Sequence, residues 1–501
     1  MAKMRICFLL VFFLPLLVSG QVNNNAFNGA RQQVGGNKKS VFNQNRVNNF
    51  NDYRQKLNAE YIRMTREKWR DFKPYQGLEQ PDEDVKPVAP IHMSDDDALR
   101  DKQDRNIPID DVVKPIRNNG RSPQPIAPVQ ETPENNPQYL TFAYLGTSLQ
   151  VRKPQNGGFT LSGVSENAVA DAWEQLCGPG FNNMLIDCIK LRSGLKLCDW
   201  AYLMMLKALG ESYCGKGTDE ATLLMAFLYS QSGYRIRLGQ SDGRLEMLYA
   251  SQHNIYRVPY ILLDGERYYA MSEKEGNIQI NAAKYPKEQS MSLWVPDYPQ
   301  VSYAESPVRT LTSERYPEMS VQVTTNKSLL PFFSSYPASE VGGDFMTRWA
   351  MYANVPMWRE TKEELYVQLK RHLNGKSQLD AVERLLNWVQ TAFVYEYDDK
   401  VWGGDRAFFP DESLYYPYCD CEDRSILFSR LVRDLVGLPC VLVYYPGHLA
   451  TAVCFSEAVS GDYIIVNGKR FVVCDPTYIG ASVGNTMSGM DNSTAKVIIL
   501  Q

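Results

Sequence analysis

Between Cys421 and Asp475 the apolar pattern changes period once. Leu427, Leu431 and Leu435 recur at helical spacing from Cys421 onward, and the run stops at Gly437-Leu438-Pro439. Three strand-like runs follow, Cys440–Tyr445, Ala450–Phe455 and Tyr463–Asp475, the last folding into a hairpin at Asn467-Gly468. A helix followed by strands joined through short turns buries its apolar face by packing on an antiparallel sheet, so this part of the chain predicts an α+β fold. Two helices are expected ahead of it, Thr361–Leu373 and Gln378–Phe393. The second carries Leu379, Val382, Leu386, Val389 and Phe393 on one face. A loop rich in Gly, Pro and aromatic residues then runs to Tyr418.

The chemistry sits where these elements meet. In Cys419-Asp420-Cys421-Glu422-Asp423, Cys421 opens the helix, where unsatisfied N–H groups and the helix dipole favour a thiolate. Glu422 and Asp423 oppose that charge, so a base is needed nearby. His448, after Gly447, lies at the first strand pair, and Asp475, in Cys474-Asp475-Pro476-Thr477, lies at the end of the hairpin. Nucleophile, base and orienting carboxylate therefore occur in an order that can assemble a triad. Of four histidines (92, 253, 372 and 448), only His448 falls between the two. Zinc binding by Cys419, Cys421, His448 and Cys474 is the rival reading, but Cys-x-Cys is a shorter pairing than zinc sites usually use.

Cys421-Glu422-Asp423 with Leu427 and Leu431, Gly437-Leu438-Pro439, His448-Leu449-Ala450-Thr451-Ala452-Val453 and Asp475-Pro476-Thr477 together resemble the transglutaminase-like superfamily. The lead-in Trp388-Val389-Gln390-Thr391-Ala392-Phe393, then Tyr395, fits as well. The resemblance covers about residues 356–501. It implies a papain-like core, with Cys421 as nucleophile, His448 as base and Asp475 as orienter. The activities it implies are amide hydrolysis or protein cross-linking. An aromatic residue commonly follows that family's histidine closely; here it is Leu449, a departure that touches the acyl pocket. Trp402, Tyr416 and Tyr418 are candidates to line the cleft or to donate to an oxyanion.

An earlier segment repeats the pattern. Tyr260–Tyr269 mirrors Tyr463–Val472 at an offset of 463 − 260 = 203, and the same offset sets Thr218-Asp219-Glu220 against Cys421-Glu422-Asp423. It maps His448 to Leu245 and Asp475 to Ser272, so a second copy, at about 138–295, would hold no triad. A β-rich connector at 296–355 would join it to the catalytic module at 356–501.

The N-terminus reads as a separate region. Lys3 and Arg5, the apolar run Ile6–Val18 and small residues before Gln21 form a cleavable signal peptide at 1–20, too short to span a membrane. Residues 21–137 form a low-complexity, Pro-rich arm, semi-extended from Pro74 to Pro137. Within it Phe50, Tyr53, Leu57, Tyr61, Met64 and Phe72 mark an amphipathic helix at about 50–72, which either packs back on the body or docks a partner. Nine cysteines follow the signal peptide, and Cys177, Cys188, Cys198 and Cys214 could form one or two disulfides. A net charge of -4 gives no sign of a nucleic-acid partner.

The expectation is an exported (periplasmic or secreted) cysteine hydrolase, a peptidase or amidase acting on a protein or peptide substrate such as a cell-wall peptide. It needs no cofactor and no metal, and its mature chain has no transmembrane segment. Protein cross-linking, or a non-catalytic binding or scaffold role, are the alternatives.

Overall fold

Asp420 starts the helix Cys421–Leu431 by accepting from the N–H groups of Glu422 (3.1 Å) and Asp423 (3.3 Å). The Asp423 carboxylate returns to the Asp420 N–H at 3.3 Å. This reciprocal cap satisfies donors that helix geometry would leave open. One wide turn, Val432–Val436, ends the helix, and Gly437 closes it at φ 76°, a left-handed conformation that costs glycine nothing. Strands Cys440–Tyr445 and His448–Val453 pair antiparallel, followed by the hairpin Asp462–Val466 and Lys469–Cys474. Its turn residues Asn467 and Gly468 have φ 51° and 74°, as a type I′ turn requires. The protein is thus a mixed α and β fold, with the expected helices observed at Arg359–Leu373 and Gln378–Thr391.

The structure, a computed structural model, describes residues 38–81, 87–94, 103–114, 122–155, 157–272 and 276–501. The signal peptide read at 1–20 and the first part of the polar arm lie outside these residues. Among the described residues, no helix is long and apolar enough to cross a membrane.

The C-terminal sheet has seven strands. Their order is Arg105–Asn106, Asp462–Val466, Lys469–Cys474, His448–Val453, Cys440–Tyr445, Lys496–Ile499 and Val112–Val113. The helix Cys421–Leu431 lies on its central strands and is buried over almost its whole circumference. Its far side meets helices Thr347–Asn354, Gln378–Thr391 and Pro410–Tyr415. Leu427 and Leu431 are in the core as expected, but the opposite face is equally enclosed.

A second sheet has six antiparallel strands, in the order Arg70–Phe72, Ile278–Ile280, Ile236–Ser241, Arg244–Ala250, Glu266–Ala270 and Tyr260–Leu263. Its hairpins follow helix Asp219–Gln231 as those of the C-terminal sheet follow Cys421–Leu431, and the strands lie in the same relative order. The uniform offset of 203 does not survive. It is 421 − 219 = 202 at the helix start, 448 − 244 = 204 at the first hairpin and 469 − 266 = 203 at the second, because the connections differ in length. Asp219 and Arg244, not Thr218 and Leu245, are the first residues of their helix and strand, as Cys421 and His448 are of theirs. One apolar cluster runs from Tyr61 through Trp173, Phe227 and Trp349 to Ile498, so the two sheets share a core within residues 51–501. The segment between them is not chiefly β. After the hairpin Arg309–Thr312 and Ser320–Val323 come helices Leu330–Ser335 and Thr347–Asn354.

The arm corrects two expectations. Its helix spans Lys38–Thr65, and Trp69 leads into the strand Arg70–Phe72, because the open edge at Ile278–Ile280 offers backbone partners that continued helix would forgo. Tyr61 stacks between Trp173 (4.7 Å) and Tyr285 (4.4 Å), and Arg54 donates to Gln231 at 2.9 Å, so the helix packs back on the body. The Pro-rich stretch is extended but is not a free linker. Arg105–Asn106 and Val112–Val113 add parallel strands to the two edges of the C-terminal sheet. Proline removes only its own N–H, and the residues between prolines still pair with sheet edges.

The disulfide expectation also fails: Cys177, Cys188, Cys198 and Cys214 all carry free thiols. Cys198 and Cys214 stand at opposite ends of the helix Asp199–Cys214, about 24 Å apart at 1.5 Å per residue, far beyond disulfide reach.

Candidate active site

Cys421 is buried at the first position of its helix, facing the strand that begins with His448. The Leu449 N–H, next along that strand, points at the thiol. Ser425, one turn further along the helix, donates to the Leu449 carbonyl at 2.7 Å and locks helix to strand. His448 Nε2 lies 2.8 Å from Asp475 Oδ2, with both side chains buried. Asp475 Oδ1 accepts from the N–H groups of Thr477 (2.9 Å) and Tyr478 (3.2 Å), which leaves Oδ2 for the imidazole. His448 Nδ1 is buried without a hydrogen-bond partner. The tautomer that fits these contacts has Nε2–H donating to Asp475 and the lone pair on Nδ1.

Two further side chains hold this arrangement, and only the first stands in a motif of the sequence. Gln390 Nε2 donates to the carbonyls of Asp475 (3.0 Å), Tyr478 (2.7 Å) and Ala481 (3.1 Å), pinning the loop that carries the carboxylate. Arg424, buried one turn after Cys421, donates to the carbonyls of Gln390 (3.0 Å) and Phe393 (2.8 Å). The phenol of Tyr395 lies within electrostatic reach of the Cys421 thiol. Neither its role nor that of Gln390 follows from spacing, because each acts across the fold.

The other aromatic candidates lie elsewhere. Trp402, Phe408 and Tyr416 surround the Arg406 guanidinium, 4.5 Å from the Trp402 ring. Tyr418 is exposed, in a short parallel pairing with Val394. The proposed zinc set does not converge: the Cys419 thiol is directed at the Val394 carbonyl and that of Cys474 at Val472.

The electrostatics are unusual. Burial pushes the Cys421 thiol well above its ordinary range, and the carboxyls of Asp420 and Glu422 push it further, against the Leu449 N–H. Such surroundings favour the thiol over the thiolate. Burial likewise raises Asp420, Glu422 and Asp423, and takes Asp398 up to about 8. Asp398, Asp405 and Glu422 bring their oxygens within 4.8 Å of one another, as a cation site would. Arg348 already supplies positive charge there, reaching Asp405 at 2.5 Å and Glu422 at 3.3 Å.

These shifts fix the sign of a pH effect. Asp398, and Asp411 at about 7 through burial, keep protons in the fold that the unfolded chain releases near pH 4. The native state then binds more protons between about pH 4 and 8, and stability falls as pH rises through that window. The melting temperature should be several degrees lower at pH 8 than at pH 5 by calorimetry. A flat or rising profile would show these carboxyls ionised in the native state.

In the first sheet the corresponding places hold an ion pair. Asp219 Oδ1 accepts from Arg244 Nε at 2.9 Å and from the Leu245 N–H at 3.1 Å, much as the Cys421 thiol faces the Leu449 N–H. Thr218 is the helix cap, its hydroxyl accepting from the Ala221 N–H at 3.1 Å. Thr218, Arg244 and Ser272 line an open cavity that contains no cysteine or histidine.

No family model, curated protein or solved structure matches this chain.

Proposed function

We propose that this protein is an exported cysteine hydrolase of transglutaminase-like type that cleaves an amide bond in a peptide or protein. One observation carries the reading: the buried His448–Asp475 pair at 2.8 Å leaves Nδ1 unpartnered beside the strand residue whose N–H faces Cys421. His448 Nδ1 takes the proton from Cys421 Sγ as sulfur bonds to the amide carbon. Charge developing on the oxygen is met by the Cys421 N–H, which the Asp420 cap leaves open, and by the Tyr395 hydroxyl. Nδ1–H then protonates the leaving nitrogen, the C–N bond breaks and an acyl thioester remains. Water, losing a proton to Nδ1, attacks the thioester. The acid is released and the thiol regains its proton. Asp475 holds the imidazole orientation throughout.

We read the first sheet and its helix as a second, inactive copy of the same papain-like unit. Asp219 and Arg244 give an ion pair where a nucleophile and a base would stand, and an ion pair has no proton to relay. The test is to quench the protein with acid during turnover of an amide peptide library and map the adducts. An acyl group on Cys421 is expected, and replacing water with a primary amine reveals any transfer to lysine. Thr218→Ala should leave the adduct unchanged while losing about 1 kcal/mol of stability with the helix cap. An adduct on any other residue, or one abolished by Thr218→Ala, would overturn the assignment.

A further inference from the structure

Cys421, His448 and Asp475 are buried in the folded chain, and a stretch of the chain's own arm runs beside them. Val88 donates its N–H to the carbonyl of Gly447, the residue before His448, at 2.9 Å. The Val88 carbonyl accepts from the Tyr395 hydroxyl at 3.4 Å. Ile91 and His92 then pair in parallel with Tyr478 and Ile479, directly after the Asp475 loop, and the Met93 N–H reaches the Ile479 carbonyl at 2.9 Å. Val88, Ile91 and Met93 turn inward against Tyr478, Ala481 and Met487, while Ala89 and His92 face out. The segment thus touches a neighbour of each of the three residues, His448 through Gly447, Cys421 through Tyr395 and Asp475 through Tyr478.

We propose that the groove from Gly447 past Tyr395 to Tyr478–Ile479 is the seat of an extended peptide substrate, and that Val88–Met93 occupies it as an intramolecular blocking strand. This rests on the reading of Cys421, His448 and Asp475 given above. The occupant identifies the ligand class. It is held by main-chain hydrogen bonds at both ends with apolar side chains on one face, the way an added strand is recognised on a sheet edge. Pro87 and Pro90 hold the backbone extended and lower the entropic cost of docking. Engaging Tyr395 removes the second oxyanion donor as well as blocking entry. The attachment is slight, with one two-residue ladder and inward side chains only half-buried, so a competing peptide or a cut in the arm can release it.

The experiment compares the native protein with Val88→Pro/Met93→Pro, which deletes the two N–H donors, and with Ile91→Asp, which spoils the apolar face. Each is exposed to limiting iodoacetamide, and the labelled thiols are mapped by mass spectrometry. Cys454, half-buried and outside the cluster that holds Val88, Ile91 and Met93, is the internal standard. Cys421 should label at least about tenfold faster in both variants, and a synthetic peptide spanning residues 87–94 should restore the slow rate. Unchanged labelling of Cys421 in both overturns the blocking strand, and a peptide that does not restore protection overturns the groove. Alkylation requires no turnover, so the two readings fail separately. Faster labelling without peptide hydrolysis leaves the strand standing and sinks the hydrolase. Equal hydrolysis by native and variant proteins does the reverse.

Discussion

His448→Ala is expected to abolish hydrolysis as completely as Cys421→Ala, by a factor of at least about 10³ in kcat, and the double variant should be no worse than either. The buried thiol is held protonated by burial and by Asp420 and Glu422, so without a base at Nδ1 almost no sulfur is nucleophilic. Groups that act in one proton relay are not additive, which a pair of merely structural residues would not reproduce. Asp475→Asn should retain the fold and lose roughly 10² to 10⁴, since an amide NH₂ facing Nε2 favours the wrong tautomer. The relevant assay uses protein with the blocking strand released, and circular dichroism confirms the fold. Near-normal turnover by folded His448→Ala would end the mechanism.

The second large effect is on stability. Arg348→Ala should cost about 3–5 kcal/mol, because it strands the buried carboxyl of Glu422 and the half-buried one of Asp405 without their counter-charge. Arg348 is 4 % exposed and also lies over the Trp349 ring at 4.7 Å, while Trp349 Nε1 donates to Glu422 at 2.5 Å. Urea denaturation should show a lower midpoint with an unchanged slope. Adding Glu422→Gln should recover part of the loss, since a neutral amide needs no counter-charge. If the single variant is as stable as the native protein, Glu422 is protonated in the fold and Arg348 does not hold the helix start.

Much of the site was legible from short-range rules. The helix beginning at Cys421, its stop at Gly437, the strand Cys440–Tyr445 and the turn at Asn467-Gly468 depend on capping, backbone freedom and period, all of which act within a few residues. The second helix-and-hairpin unit was also visible in outline. Its register was not, because connections that differ by a residue shift Asp219 and Arg244 into the places assigned to Thr218 and Leu245. The roles of Tyr395 and Gln390 were not legible, since their partners, Cys421 and the Asp475 loop, lie on other elements.

Sequence alone determined which residue types stand in line for chemistry: Cys421 at a helix start, His448 opening a strand and Asp475 ending a hairpin. Each follows from local backbone energetics or composition. Tertiary structure decided the rest. It set Asp475 on Nε2 and left Nδ1 without a partner, gathered Asp398, Asp405 and Glu422 beside Arg348, and paired stretches of the Pro-rich arm with strands of the C-terminal region. Those outcomes depend on contacts between residues from 27 positions to several hundred apart, whose energies come from burial and from the open edges of sheets. No periodicity along the chain encodes which edge an extended segment will find.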